Sequence, residues 1–203
     1  TGNATFNVTG TASTVGLEFT GALGDGGNGY GFTQTGGGYL SLDAVNTYTG
    51  ATSIDSGTLR LGTASTLTSS AYHLSNGATL SLNDGGSSNH DYNFIGNISG
   101  SGTVALASNY QYLTLTGDTV SPGGTGTAGI LTQTMAGAGD ILRFNKNGAT
   151  PVTVSINVVG AGNVAGTDYS QFSTNASSGK IYNLNTNAVL FLNVSNLLTT
   201  AQL

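Results

Sequence analysis

The chain reads as an all-β protein built as a β-solenoid, and three observations carry that expectation. Apolar and polar residues alternate with period two in many short runs, among them Leu40 and Leu42, Thr52 and Ile54, and Leu59 and Leu61. The runs recur: the steps Leu40 to Leu59, Leu59 to Leu80 and Leu80 to Val104 are 19, 21 and 24 residues, near the length of one solenoid turn with corner loops of varying size. No window sustains an i, i+3, i+4, i+7 apolar pattern, so helices are not expected. A single three-strand unit of this kind buries no apolar face by itself and needs copies stacked on it.

Composition narrows the class. Gly 33, Thr 31, Ser 21 and Asn 20 make up 105 of 203 residues, while Asp, Glu, Lys and Arg total 13. An ordinary globular enzyme carries about a quarter charged residues, so this chain is of another kind. The alternating Leu, Val and Ile argue against disorder despite the glycine content. No cysteine is present, which removes disulfides and thiolate chemistry. The net charge of −5, with Arg60, Arg143, Lys146 and Lys180 scattered along the chain, does not supply the clustered cations that nucleic acid or an anionic membrane surface requires. The longest apolar run, Ala188 to Leu192, is far shorter than the roughly 20 residues of a spanning helix, so no membrane insertion is expected. A start at Thr1 is expected to reflect a processed or excised segment.

In chain order, ATFNVTG and TVGLEFTG near the N-terminus are two alternating strands of a first coil. The loop GALGDGGNGYG has a superficial likeness to a glycine-rich calcium nonapeptide. Its single Asp25 precedes the glycines and no second copy follows, so tight turns are the expectation. The stretch from Gly36 to Gly62 holds three strands, with AVNTYTG as a turn and Ser56-Gly57 opening the last. Strand pairs recur at Leu59-Arg-Leu61, Leu80-Ser-Leu82, Val104-Ala-Leu106 and Leu113-Thr-Leu115, the first three announced by Ser56-Gly57, Asn76-Gly77 and Ser101-Gly102.

The run G-x-L-x-L, N-T-Y-T-G-x-T-x-I, then S-G-T-L-x-L from Gly36 to Leu61 resembles the passenger-associated strand repeat of bacterial autotransporters, also found in large secreted bacterial surface proteins. The resemblance implies a right-handed parallel β-helix displayed outside the cell and implies no catalytic residues. The segment S-P-G-G-x-G-x-A-G-I-L-T resembles the place where such repeats give way to a wider terminal section. Two regions are therefore expected: a solenoid over 1–117, and a broader β-helix or β-sandwich-like end over 118–203, continuous with the first. The division is placed at residues 116–127, where Pro122 and two glycines are expected to break strand pairing. The later strands, including Ile130 onward and Val152 onward, are expected to be longer than the earlier ones.

Few residues support chemistry. The polar insert NDGGSSNHDYN is expected to be a solvated corner loop, with Asp84 and Asp91 as weak calcium candidates lacking a recognised ligand spacing. No other cofactor is expected. Asp43, Asp55, Asp84 and Asp91 are the carboxylates a polysaccharide-active enzyme would have to pair, and no two are placed together by the sequence. His73 is expected to be an outward strand residue. Thr-x-Thr pairs such as Thr33 and Thr35 or Thr132 and Thr134 are spaced too irregularly for an ice-binding array. The sequons at Asn3, Asn7, Asn97, Asn175 and Asn193 carry little weight in a chain of this composition.

The expectation is a non-enzymatic extracellular or cell-surface protein that forms a fibre, sheath or matrix by self-association through its ends. Thr5, Phe6 and Val8 at one end and Val189, Phe191 and Val194 at the other are the contact residues. An adhesin binding glycans or host surfaces is the alternative, and a polysaccharide-active enzyme is the third reading.

Overall fold

The computed structural model describes residues 2–62, 66–83, 90–94, 96–107, 111–116, 119–124, 127–135, 140–144, 152–156, 164–167, 169–176 and 180–183. Among these the chain winds through seven coils with no helix. The first coil holds β1 (Ala4–Asn7) and β2 (Val15–Phe19), and the second holds β3 (Phe32–Thr35) and β4 (Tyr39–Leu42). From the third coil onward a third strand is added: β5 (Thr52–Ile54), β6 (Thr58–Leu61) and β7 (Thr66–Leu67), then β8 (Ala71–Leu74), β9 (Thr79–Leu82) and β10 (His90–Phe94). The fifth coil is β11 (Asn97–Gly100), β12 (Thr103–Leu106) and β13 (Gln111–Leu115), and the sixth is β14 (Thr119–Pro122), β15 (Ile130–Met135) and β16 (Ile141–Phe144). The seventh is β17 (Thr153–Val154), β18 (Gln171–Ala176) and β19 (Lys180–Asn183).

Corresponding strands stack into three parallel sheets. The first sheet runs β1-β3-β5-β8-β11-β14-β17, the second β2-β4-β6-β9-β12-β15-β18, and the third β7-β10-β13-β16-β19. This is a parallel β-solenoid, as the alternation and the recurring spacing predict. The second sheet pairs Leu40 with Leu59, Leu59 with Leu80 and Leu80 with Val104, so the steps of 19, 21 and 24 residues are true rungs of one ladder. All four side chains are buried. A parallel file runs Leu42, Leu61, Leu82, Leu106 and Met135.

The first sheet contributes Phe32, Thr52, Tyr72, Ile98, Val120 and Val154 to the same core. Thr52 is tolerated there because its hydroxyl lies 2.9 Å from the Tyr48 hydroxyl and 3.1 Å from the Ser69 hydroxyl, so the buried polar group is paired. Ser69 in turn donates to Gly50 O at 2.9 Å. Gln34, also fully buried, donates through Nε2 to Gly38 O and Thr58 O, tying the corner that follows β3.

Of the four recurring strand pairs, Leu113-Thr-Leu115 does not lie on the second sheet. It forms β13 on the third sheet, paired with β10. Nor does the segment 116–127 break strand pairing: β14 lies inside it, includes Pro122 and pairs in register with β11. Pro122 is the last residue of that strand, and its nitrogen faces the β17 side, where pairing has already ended at Val120 with Val154, so no ladder hydrogen bond to β11 is lost. All three sheets run on past residue 117. Of the later strands, β15 and β18 reach 6 residues, whereas the described part of the run from Val152 holds only the 2 residues of β17.

The corner between the first and second sheets explains the recurring turn residue plus glycine. Gly57 has φ of 78°, and a Cβ there would stand 2.2 Å from Gly38 O in the coil before it. Gly77, one coil on, has φ of 81° but open space around it. Gly57→Ala therefore meets both backbone strain and a clash, and Gly77→Ala meets strain alone. We expect Gly57→Ala to lower stability by more than about 1 kcal/mol and by more than Gly77→Ala does, read from urea melts of both variants. Equal losses would show that the close approach of successive coils is not what selects glycine at Gly57.

Candidate functional site: the first coil and its charged anchors

β1 and β2 end their sheets, so among the described residues the outer edge of each has no strand beside it. Ala4 N donates to Gly31 O and Val8 N to Thr35 O. In a parallel strand successive residues turn their polar groups to opposite sides, so the Thr5 N–H faces the free edge. The Thr5 side chain is exposed. Phe6 turns inward and is half-buried, its ring 5.2 Å from that of Phe19 and 5.3 Å from that of Phe32. Tyr48 extends the aromatic row, 5.4 Å from Phe32. Val8 is 4% exposed and belongs to the core of the coil, so its side chain is not offered to a neighbour.

The first coil also exposes apolar side chains. Val15 and Leu17 of β2 are 49% and 36% exposed, beside a register irregularity between them. A groove of about 350 Å³ opens among Ala4, Phe6, Leu23, Tyr30, Phe32 and Tyr48. The residues expected to form the other end, Val189, Phe191 and Val194, lie outside the described residues.

No strand of the third sheet forms in the first two coils; two loops stack there, pinned by one carboxylate. Asp25 Oδ1 accepts from Gly27 N at 2.9 Å, and Oδ2 accepts from Gly29 N and Thr49 N at 3.0 Å each and from Thr49 Oγ1 at 2.7 Å. The Thr49 hydroxyl, then the Gly27 and Thr49 N–H groups, hold this carboxyl well below the usual range. A carboxylate so occupied organises a turn, in keeping with the expectation that the glycine-rich loop is not a calcium nonapeptide. Sequence reading located Asp25 but not its partner, because Thr49 lies one coil away.

Two arginines were legible only as scattered cations. Arg60 Nη1 donates to Asp43 Oδ1 at 2.6 Å and to Ser41 Oγ at 2.9 Å, while its Nε donates to Asn83 O at 2.8 Å, so one side chain spans three coils. Burial would raise the Asp43 carboxyl, but hydrogen bonds from Glu18 and Ser41 and the Arg60 charge outweigh it and hold it low. The hydrogen bond and charge of Asp43 push Glu18 up in return. Arg143 repeats the device on the third sheet. It donates to Asp91 Oδ2 at 3.0 Å, its guanidinium lies 3.8 Å over the Tyr112 ring, and Thr114 Oγ1 donates to Asp91 Oδ1 at 2.7 Å.

These placements bear on the other candidates. Asp91 is committed to a cation and a hydroxyl, and Asp84 lies outside the described residues. Among the described residues no three His, Cys, Asp or Glu gather as metal ligands. Asp43 follows β4, Asp55 accepts from Ser53 at 2.7 Å beside β5, and Asp91 lies in β10, so the three belong to three different sheets. His73 is exposed on the outer face of the first sheet, Nδ1 3.1 Å from Ser99 Oγ, an outward strand residue as expected.

The Asp25 carboxyl titrates at lower pH folded than unfolded. Its stabilisation is therefore complete above the unfolded value of about 3.9 and is lost as pH falls below it. We expect Asp25→Asn to be less stable than the parent at neutral pH, with the gap in melting temperature narrowing as pH falls from about 5 towards 2. A gap that stays constant or widens in acid would contradict the assigned role.

Residues 32–61 match the family model described as passenger-associated-transport-repeat. The match runs from the start of β3 to the end of β6, which is two first-to-second-sheet corners and the third-face loop between them. No curated protein and no solved structure matches the chain. The protein is thus a β-solenoid that carries, at residues 32–61, the passenger-associated-transport-repeat.

Proposed function

We propose that this chain is a non-enzymatic segment of an extracellular or cell-surface bacterial protein, and that it builds an extended fibre, sheath or matrix by adding coil to coil. One observation carries the reading. Among the described residues the first coil leaves two parallel strand edges with no strand beside them, together with exposed Val15 and Leu17 and the aromatic groove behind Phe6. Edges of this kind are pairing templates, and soluble proteins usually blunt them with charge, proline or a covering element. The passenger repeat at residues 32–61 supports secretion and surface display.

The alternatives draw less support. An adhesin with aromatic platforms needs tyrosines aligned on an outer face, whereas Tyr48, Tyr72 and Tyr92 are buried in the core. A polysaccharide-active enzyme needs two carboxylates facing one groove. Asp43, Asp55 and Asp91 are instead distributed over three sheets and engaged by neighbours.

Negative-stain microscopy and sedimentation of the purified chain over a concentration series, with and without a chelator, test the reading. Filaments or higher species that grow with concentration and persist in chelator are expected. Thr5→Pro removes only the edge-facing N–H, and Leu17→Lys places charge on the second edge; each is expected to shift the population to monomer with little change in melting temperature. Monomers at every concentration, or assemblies indifferent to both substitutions, would overturn self-association through the first coil.

A further inference from the structure

Three Asn-Gly dipeptides occur in the chain: Asn28-Gly29, Asn76-Gly77 and Asn147-Gly148. The last lies outside the described residues. The other two stand in exposed turns, so solvent access does not distinguish them. Their hydrogen bonding does. Asn28 Nδ2 donates to Asp25 O at 2.8 Å and to Gly26 O at 3.4 Å, and Gly29 N donates to Asp25 Oδ2 at 3.0 Å. Asn76 and Gly77 sit in the turn closed by Ala78 N donating to Ser75 O at 3.0 Å, and neither the Asn76 side chain nor Gly77 N has a hydrogen-bond partner among the described residues. Gly77 has no heavy atom within 4 Å of where a Cβ would be.

We propose that Asn76-Gly77 is a spontaneous modification site, the place in the described part of the solenoid where an asparagine amide converts to aspartate and isoaspartate in the folded state. Gly77 N loses its proton to hydroxide and attacks Asn76 Cγ. The new C–N bond closes a five-membered succinimide, the Cγ–Nδ2 bond breaks, and the amide leaves as ammonia. Water then adds to one of the two ring carbonyls and opens the ring, giving aspartate when the new bond is the one cleaved and isoaspartate when the original peptide bond is. No electrons are exchanged, and water and hydroxide are the only co-reactants.

The hydrogen bonds decide which site reacts. At Asn28 the nucleophile is held by Asp25 Oδ2, whose negative charge also disfavours loss of the Gly29 proton, and the side-chain amide is turned away towards two carbonyls. At Asn76 neither restraint exists, and glycine places no side chain in the path of attack. The consequence falls on a corner that carries the stack: Thr79 N donates to Gly57 O at 2.9 Å and Thr103 N to Ala78 O at 2.9 Å. Conversion adds one negative charge to a chain of net charge −5, and isoaspartate lengthens the main chain inside the four-residue turn.

The test is incubation of the intact chain in mildly alkaline buffer, followed over time by isoelectric focusing and by peptide mapping with mass spectrometry. A urea-unfolded sample and an Asn76→Gln variant run in parallel. In the folded chain Asn76 is expected to convert several-fold faster than Asn28, the two rates are expected to converge in urea, and the variant is expected to lose the acidic species assigned to Asn76. Asn28 converting as fast as Asn76 in the folded chain, or Asn76 remaining an amide there while it converts in urea, would overturn the proposal.

Discussion

Everything in this molecule depends on one constraint: successive coils are hydrogen-bonded in parallel register, about 4.8 Å apart. At that separation a side chain has room only if it points into the core or away from the sheet, and at a corner there is little room at all. The second sheet therefore stacks leucine on leucine from Leu40 to Leu80, and the corner at Gly57 excludes any Cβ because Gly38 O occupies its place. Other corner and loop glycines, such as Gly77, instead stand in open space and serve a positive φ. The low charge follows from the same geometry, since like charges on one outward file would face each other at every rung.

The few charges that are present take part in the stacking. Arg60 reaches one coil back to Asp43 and one coil forward to Asn83 O, and Arg143 reaches back two coils to Asp91 while stacking on Tyr112. Asp25 joins two third-face loops where no strand has formed. In each case the charge-assisted bonds run along the solenoid axis. Such bonds matter most in the coils that lack a third strand, where fewer backbone ladders hold one turn to the next. They also explain why counting cations in the sequence says little: Arg60 and Arg143 are attached to the protein's own carboxylates and are not displayed to a partner.

Much of the fold was legible because the ladder imposes its period on the chain. The leucine spacing of the second sheet and the turn residue plus glycine at its entrance are local signals repeated at nearly constant intervals, and they read out as rungs without correction. Leu113 and Leu115 were less transparent, because an alternating pair looks the same on any face of the coil. Pro122 misled for a related reason: proline interrupts a strand interior, but at the last position of β14 it removes little. Thr5 and Phe6 were legible as strand residues of the first coil, whereas the charged contacts between coils were not. Thr49 and Asp25 are 24 residues apart, and Arg143 and Asp91 are 52 residues apart, so neither contact leaves a local trace.

The same ladder that stabilises the interior leaves the first described coil with strand edges that no described strand covers. An inner coil has each strand edge satisfied by the coils on either side, so its main chain has nothing left to offer and only its side chains meet the surroundings. The first coil differs in kind. Its Thr5 N–H points to the free edge of β1, Val15 and Leu17 are exposed on β2 of the next sheet, and the row Phe6, Phe32 and Tyr48 continues the core to its opening. An additional coil set on this surface would gain backbone hydrogen bonds and apolar burial together, which is the same combination that holds β3 and β4 to the coil before them. Nothing in that gain depends on whether the coil comes from the same chain or another; the side chains that would meet such a coil are Glu18, hydrogen-bonded to Asp43, and the apolar pair Val15 and Leu17 on β2.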